Sequence, residues 1–311
     1  MNNTKSAFVA IVGRPNVGKS SILNALIGQK VAIVSSKPQT TRTRIMGVLT
    51  HNETQIVFTD TPGMHLPKNK LGEYMVKSIT ESVNNTDLCL LVVEAGDKEI
   101  RPAEAELMER FRMLDMPAIL VLNKIDMLRD KEQLFERIAQ FTDEYDFAAV
   151  VPVSAVKGDG LDELLDELCN NAEEGPHFFP DDTLTDQPER VIAAEIIREK
   201  LLRLLSDEVP HGIAVDIEKM RERNGAGEAD ERDGSLVDIS ATVYCEKDSH
   251  KGIIIGKGGA MLKKIGSYAR EDIEKFLGCK VNLQLWVKVR EDWRNSAGSL
   301  KNFGFKDDDF E

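Results

Sequence analysis

No apolar run in this sequence approaches the roughly 20 residues that a bilayer-spanning helix requires. The longest, Leu88 to Val93 and Ala118 to Leu122, are strand-sized. Near the N-terminus only Phe8 to Val12 is apolar, too short for the core of a signal peptide, so a cytoplasmic protein is expected. Cysteine is scarce: Cys89, Cys169, Cys245 and Cys279 are scattered, with no CxxC pair. That excludes a disulfide framework and the usual zinc patterns, and Cys89, inside an apolar run, reads as a small core residue. Basic residues are outnumbered, 40 Lys and Arg against 53 Asp and Glu, for a net charge of −13. Coating nucleic acid by bulk electrostatics is thereby excluded. The shortage is uneven. Between Lys251 and Arg270 the charged residues are Lys251, Lys257, Lys263, Lys264 and Arg270, with no acid among them. A polyanion at close range would feel that patch, because salt screens charges beyond about 10 Å. Acids crowd the tail instead (Asp307, Asp308, Asp309, Glu311), and residues 301–311 read as a solvated acidic tail. Internal repeats and low-complexity tracts are absent.

What is present suits two domains, since 311 residues exceed an ordinary single one. Residues 5–170 alternate short apolar runs with amphipathic stretches. Strands are expected at Phe8–Val12, Gln55–Thr59, Leu88–Val93, Ala118–Leu122 and Ala149–Pro152, and helices at Ser20–Leu26, Pro102–Leu114, Lys131–Phe141 and Leu161–Cys169. This alternation implies an α/β domain with a mostly parallel sheet and helices on both faces. Apolar runs without period-2 alternation fit strands buried on both sides. Residues 171–188, with three prolines, acids and two exposed-looking phenylalanines, read as a linker. Residues 189–300 follow a different grammar. A helix at Glu189–Leu205 precedes strands at Ala214–Arg223 and Val237–Glu246, separated by a Gly- and charge-rich excursion at 224–234. Helices at Lys251–Ile255 and Met261–Leu277 and a strand at Val281–Val289 complete a small α+β domain.

Gly13-Arg14-Pro15-Asn16-Val17-Gly18-Lys19-Ser20 is GxxxxGK[ST], placed after a strand and opening a helix. The glycines let successive N–H groups turn toward phosphate oxygens, and the helix N-terminus adds partial positive charge. Lys19 would reach the β/γ-phosphates, and Ser20 would coordinate Mg²⁺. Three further segments choose the base. Asp60-Thr61-Pro62-Gly63 offers a carboxylate to Mg²⁺, through water, and a glycine N–H to a γ-phosphate. Asn123-Lys124-Ile125-Asp126 offers a carboxylate to guanine N1–H and its 2-amino group, donors that adenine does not present in this way. Ser154-Ala155 can support the 6-oxo group with a backbone N–H. All three follow strands, where ligands of parallel sheets sit. A GTP-binding and GTP-hydrolysing domain is expected.

With these motifs the chain resembles the Era family of bacterial ribosome-assembly GTPases, over nearly its whole length to Trp293. The resemblance implies that Pro38-Gln39-Thr40-Thr41-Arg42 is a switch segment whose threonine closes on Mg²⁺ and the γ-phosphate: Thr41, with Thr40 the alternative. Lys19, Thr41, Asp60 and Gly63 would then serve hydrolysis, and segments 37–44 and 60–70 would be the nucleotide-dependent switches. Met64 stands where many GTPases carry a water-orienting glutamine, so slow intrinsic turnover is expected and Met64 itself reads as a hydrophobic plug. Asn16 resembles an asparagine that holds K⁺ in related GTPases; a structural asparagine is the alternative. Arg14, Arg42 and Arg44 are candidate arginine fingers, with surface or RNA-facing arginines as the competing reading.

In the second domain, Ile253-Ile254-Ile255-Gly256-Lys257-Gly258-Gly259 joins two helices through GKGG. This is the GxxG of KH domains, whose loop clamps a nucleic-acid backbone; Lys263 and Lys264 follow on the next helix. Ile253 to Ile255 and Met261 are either an apolar groove for bases or core. The element order resembles the type II KH domain that ends Era proteins. The resemblance implies binding of the 3′ region of 16S rRNA on the small ribosomal subunit, a role in its maturation, a monomer, and peripheral contact with the inner face of the cell membrane, although no amphipathic anchor demands the last.

Overall fold

The structure, a computed structural model, describes residues 4–305 except 38–39, 43–44, 64–68, 131, 207–208, 224–235 and 304. Met64, Pro38, Gln39, Arg44, the excursion read at 224–234 and the acids of the tail therefore lie outside the described residues. Two compact units are present: the first comprises 1–34, 41–68 and 72–186, and the second 187–311 together with the short segments 35–40 and 69–71.

In the first unit, β1 (Lys5–Val12) leads into α1 (Lys19–Ile27), and β2 (Ile45–His51) and β3 (Thr54–Asp60) form a hairpin. Then come α2 (Lys70–Asn84), β4 (Leu88–Glu94), α3 (Pro102–Leu114), β5 (Ala118–Asn123), α4 (Glu132–Thr142), β6 (Ala149–Pro152), α5 (Leu161–Asn170) and the short β7 (Glu173–Glu174). The sheet runs in the order β2-β3-β1-β4-β5-β6, with β7 beside the start of β1. Its β3, β1, β4, β5 and β6 are parallel. The lack of alternation has a direct cause. Ala7, Val9 and Ile11 enter one core with Ile22 and Leu23 of α1 and Leu164 and Leu168 of α5. Ala10 and Val12 enter another with Ile79 of α2 and Leu107 and Phe111 of α3. Both pleat faces are apolar because both are covered.

In the first unit β2, α2 and the short β7 went unread in the sequence. Gly47 interrupts the apolar pattern of β2 for a packing reason: a Cβ there would lie 2.5 Å from Ile27 Cδ1 and 2.8 Å from Leu23 Cδ1 of α1. In α2, Leu71, Met75, Ile79 and Val83 are buried at helical spacing.

The stretch read as a linker is a strap held to the first unit. The Val48 N–H donates to Leu184 O (2.9 Å), and Thr185 Oγ1 donates to Met46 O (2.5 Å). Buried Gln55 takes both the Phe178 and Phe179 N–H groups on its Oε1 (2.8 and 3.0 Å) and donates Nε2 to Phe179 O (2.9 Å). Phe178 is exposed but stacks on Phe8, centroids 4.8 Å apart. Phe179 is half-buried, so only one of the two phenylalanines expected at the surface is exposed.

The second unit runs α6 (Glu189–Leu204), β8 (Ala214–Arg223), β9 (Leu236–Cys245), α7 (Asp248–Ile255), α8 (Ala260–Leu277), β10 (Lys280–Val289) and α9 (Ala297–Asn302). The α-β-β-α-α-β order matches the expectation, with α9 added. The sheet order is β10-β9-β8, β10 parallel and β8 antiparallel to β9. Val237, Ile239, Ala241, Val243 and Cys245 alternate inward, toward Ile196 and Ile197 of α6, Ile254 of α7 and Ile265, Ala269 and Ile273 of α8. The face that these residues line is covered by α6, α7 and α8, and Trp286 is exposed on β10.

Candidate functional site

The motifs of the first unit meet at the carboxyl ends of its parallel strands. Residues 13–18 bend between β1 and α1 through backbone that L-residues rarely adopt: Gly13 φ 145°, Asn16 φ 66°, Gly18 φ 104°. The bend leaves no room for side chains. A Cβ at Gly13 would lie 2.3 Å from Val92 O, one at Gly18 2.1 Å from Asn123 Nδ2, and one at Gly63 2.7 Å from the Pro15 backbone. At each of these three contacts one partner must therefore be glycine.

Asn123 ties the base-reading segment to the loop. Its Nδ2 donates to Val17 O (2.8 Å), and its Oδ1 accepts the Ala155 N–H (3.2 Å). Ser154 Oγ donates to Asp126 Oδ1 (2.6 Å), fixing that carboxylate while Asp126 stays exposed. Lys124, at φ 67°, pairs with Glu94 Oε2 (2.9 Å). Thr61 Oγ1 donates to Ile11 O (2.8 Å), and Pro62 follows it, buried.

Lys19 is buried, and its Nζ donates to Gly13 O (3.0 Å) and Arg14 O (2.8 Å). Burial lowers its pKa to about 8. A buried ammonium held only by neutral carbonyls suits a site built for a polyanion. Beside it, Ser20 Oγ donates to Asp60 Oδ2 (2.7 Å), with Thr41 Oγ1 3.1 Å from Ser20 Oγ and 3.3 Å from Asp60 Oδ2. Asp60 is fully buried, and among the described residues its Oδ1 has no hydrogen-bond partner. Burial raises its pKa, against the pull of Lys19, Ser20 and Thr41. An orphaned carboxylate oxygen beside two hydroxyls is an oxygen donor set that fits Mg²⁺. Thr40 turns elsewhere: its Oγ1 donates to Lys37 O (2.6 Å) and lies 2.8 Å from Ser35 Oγ, so the two-threonine alternative falls to Thr41.

Of the three candidate arginines, Arg44 lies outside the described residues. Arg14 is tied to Glu104 (2.7 Å) and Asp97, and Arg42 is 4% exposed. Acids hold the guanidinium of Arg14, and Arg42 is buried, so neither is an open surface cation. Glu104, the anchor of Arg14, was not singled out in the sequence. Its one local signal, the start of α3 with Pro102 and a carboxylate two residues on, announces a helix and not a partner for the loop.

In the second unit the GKGG turn joins α7 to α8. Gly256 (φ 71°, ψ 175°) is a conformation reserved for glycine, and its Cβ would meet Met261 Cβ at 2.7 Å. Gly258 (φ 58°) and Gly259 (φ 81°) instead face open space. Lys257, Lys263 and Lys264 are exposed around them, which leaves a turn that a phosphate can approach closely. Of the apolar candidates, Ile254 is core, Ile253 is 49% exposed, and Ile255 and Met261 lie between.

Comparison with known proteins decides the family. The 50S ribosome-binding GTPase family matches residues 8–124, and the KH domain family matches residues 208–294. GTPase Era of Clostridioides difficile (strain 630) is 55% identical over 303 residues, covering 97% of this chain and 99% of that one. The chain belongs to the Era family of GTPases. GTPase Era of Ruminiclostridium cellulolyticum is 51% identical over 302 residues, 97% and 98% covered. Among solved structures, Era in complex with MgGDPNP and nucleotides 1506–1542 of 16S ribosomal RNA superposes with a TM-score of 0.87 at 41% identity. It covers 97% of this chain and 99% of its own. This Era-family chain is accordingly a GTPase.

Proposed function

We propose that this Era-family GTPase is a GTP-driven switch that binds the 3′ region of 16S rRNA through its KH unit and acts in small ribosomal subunit assembly and rRNA maturation. One observation carries the reading: a relative matched over 97% of this chain holds MgGDPNP and that rRNA segment together, and here both the phosphate loop and the open GKGG turn are intact. The base lies against Asn123, Lys124, Asp126, Ser154 and Ala155, and the phosphates against 13–20 and 61–64. Ser20, Thr41 and Asp60 hold Mg²⁺, which when bound neutralises charge on the β- and γ-phosphates. Lys19 stabilises charge growing on the transferred group, and the Gly63 N–H meets the γ-phosphate. Gly256, Lys257, Gly258, Gly259, Lys263 and Lys264 clamp the RNA backbone.

In this reading GTP orders segments 37–44 and 60–70, hydrolysis releases them, and the GTP form is the one bound to RNA. Turnover measured with and without an rRNA 3′-end oligonucleotide tests it. Stimulation is expected; an oligonucleotide that binds without changing turnover would favour an RNA chaperone whose hydrolysis is incidental. K⁺ beside Asn16 is the finer proposal, and equal single-turnover rates in K⁺ and Na⁺ would remove it. We place the protein in the cytoplasm as a monomer, with peripheral contact at the inner face of the membrane on family grounds.

A further inference from the structure

Arg14 is second in the phosphate loop, yet its guanidinium is engaged outside it. Nε donates to Glu104 Oε1 (2.7 Å), and Nη2 pairs with Asp97. Glu104 lies in the first turn of α3 and is 0% exposed. Its other oxygen accepts from Arg137 Nη2 of α4 (3.1 Å) and from the Arg101 N–H (2.9 Å). Arg137 is 1% exposed, stacks 4.5 Å over Phe141, and donates Nη1 to Gln140 Oε1 (3.0 Å).

A buried carboxylate requires a counter-charge. Arg137 of α4 already provides one, and the Arg101 N–H adds a hydrogen bond. The second arginine comes from the loop that handles the phosphates, and it brings Asp97 with it. We propose that Glu104 is a positioning residue for GTP binding and hydrolysis, acting through Arg14 to hold the first half of the phosphate loop against β4 and α3. This rests on the reading of that loop as the GTP pocket.

The loop's own geometry supports it. Gly13 is pressed against Val92 O at the end of β4, and the very next residue reaches to α3. The Arg14 carbonyl, fixed by the same residue, accepts from Lys19 Nζ (2.8 Å). Burial disfavours the Arg14 charge, but the Glu104 hydrogen bond and the charges of Glu104 and Asp97 outweigh it, leaving the guanidinium more basic than usual. Amides aimed at phosphate oxygens lose effectiveness when their support loosens by even an ångström.

A double-mutant cycle in the full chain with Mg²⁺ and GTP tests the proposal. Arg14→Ala and Glu104→Gln should each lower kcat/KM about tenfold, and the double variant should be no worse than either. If Glu104 served only the packing of α3 on α4, the losses would multiply toward a hundredfold; that result, or an unchanged kcat/KM in Arg14→Ala, overturns the proposal. Arg14→Ala leaves the Glu104–Arg137 pair in place, so it decides the matter even if Glu104→Gln does not fold. The unsubstituted chain, assayed alongside, tests the pocket itself: no hydrolysis there would indict the pocket and not the role of Glu104.

Discussion

In the proposed pocket, base choice falls to one carboxylate, Asp126, held by Ser154 Oγ at 2.6 Å. Asp126→Asn keeps the shape but faces guanine's N1–H and 2-amino donors with a donor of its own. GTP affinity should fall on the order of 100-fold, the effect of roughly 3 kcal/mol, while xanthosine triphosphate, with an acceptor at that position, should bind better than it does to the unsubstituted chain. Titration with both nucleotides checks this. The residues assigned to the nucleotide in the proposed pocket were legible in the sequence because that chemistry demands fixed types at fixed spacing. Those one contact further out were not. Glu104 and Arg137 are 33 residues apart in sequence, and only the stacking of α3 and α4 beside the loop brings them to Arg14.

At the scale of the element, the GKGG turn separates two kinds of glycine. Gly256→Ala places a methyl 2.7 Å from Met261 Cβ in a glycine-only conformation, costing roughly 2 kcal/mol and lowering the Tm of the second unit by several degrees. Gly258→Ala, near the left-handed helical region with open space around it, should cost only about 1 kcal/mol. Thermal melts of the two variants compare them. The strap offers a pH test. His177 Nδ1 lies 2.7 Å from Asp181 and Nε2 3.2 Å from Glu53 O. The Asp181 bond raises its pKa above 6.5, so its contribution is complete below that value and fades as pH rises through the folded one. Asp181 is 74% exposed, and water screens the pair, so the effect is small. Hydrogen exchange at Phe178 and Phe179 should be faster at pH 8 than at pH 5.5, after correction for intrinsic rates, and His177→Gln should flatten the difference. Composition hid this strap. Prolines and acids signal free chain, whereas the groups that hold it, Gln55 and the β2 backbone, lie more than a hundred residues earlier. Similarly, Gly47 made β2 unreadable for the reason that lets α1 lie against it.

For the whole molecule, the strap moves the end of the first unit from 170, as composition suggested, to Asp186. A fragment ending at Asp186 should melt higher than one ending at Asn170, which would bare Gln55 and the edge of β2; calorimetry of both decides. The layer pattern of the first unit, helices on both faces of its sheet, was legible because periodicity reports burial directly. The sequence has two tryptophans. Trp293 is wholly buried, its indole N–H donating to Gly212 O (3.0 Å), and Trp286 is 59% exposed; both belong to the second unit. Excited at the red edge of indole absorption, the protein should therefore emit as a blue component deaf to iodide plus a red one that iodide extinguishes. Neither reports on the nucleotide-binding half, whose unfolding would pass unseen in that channel.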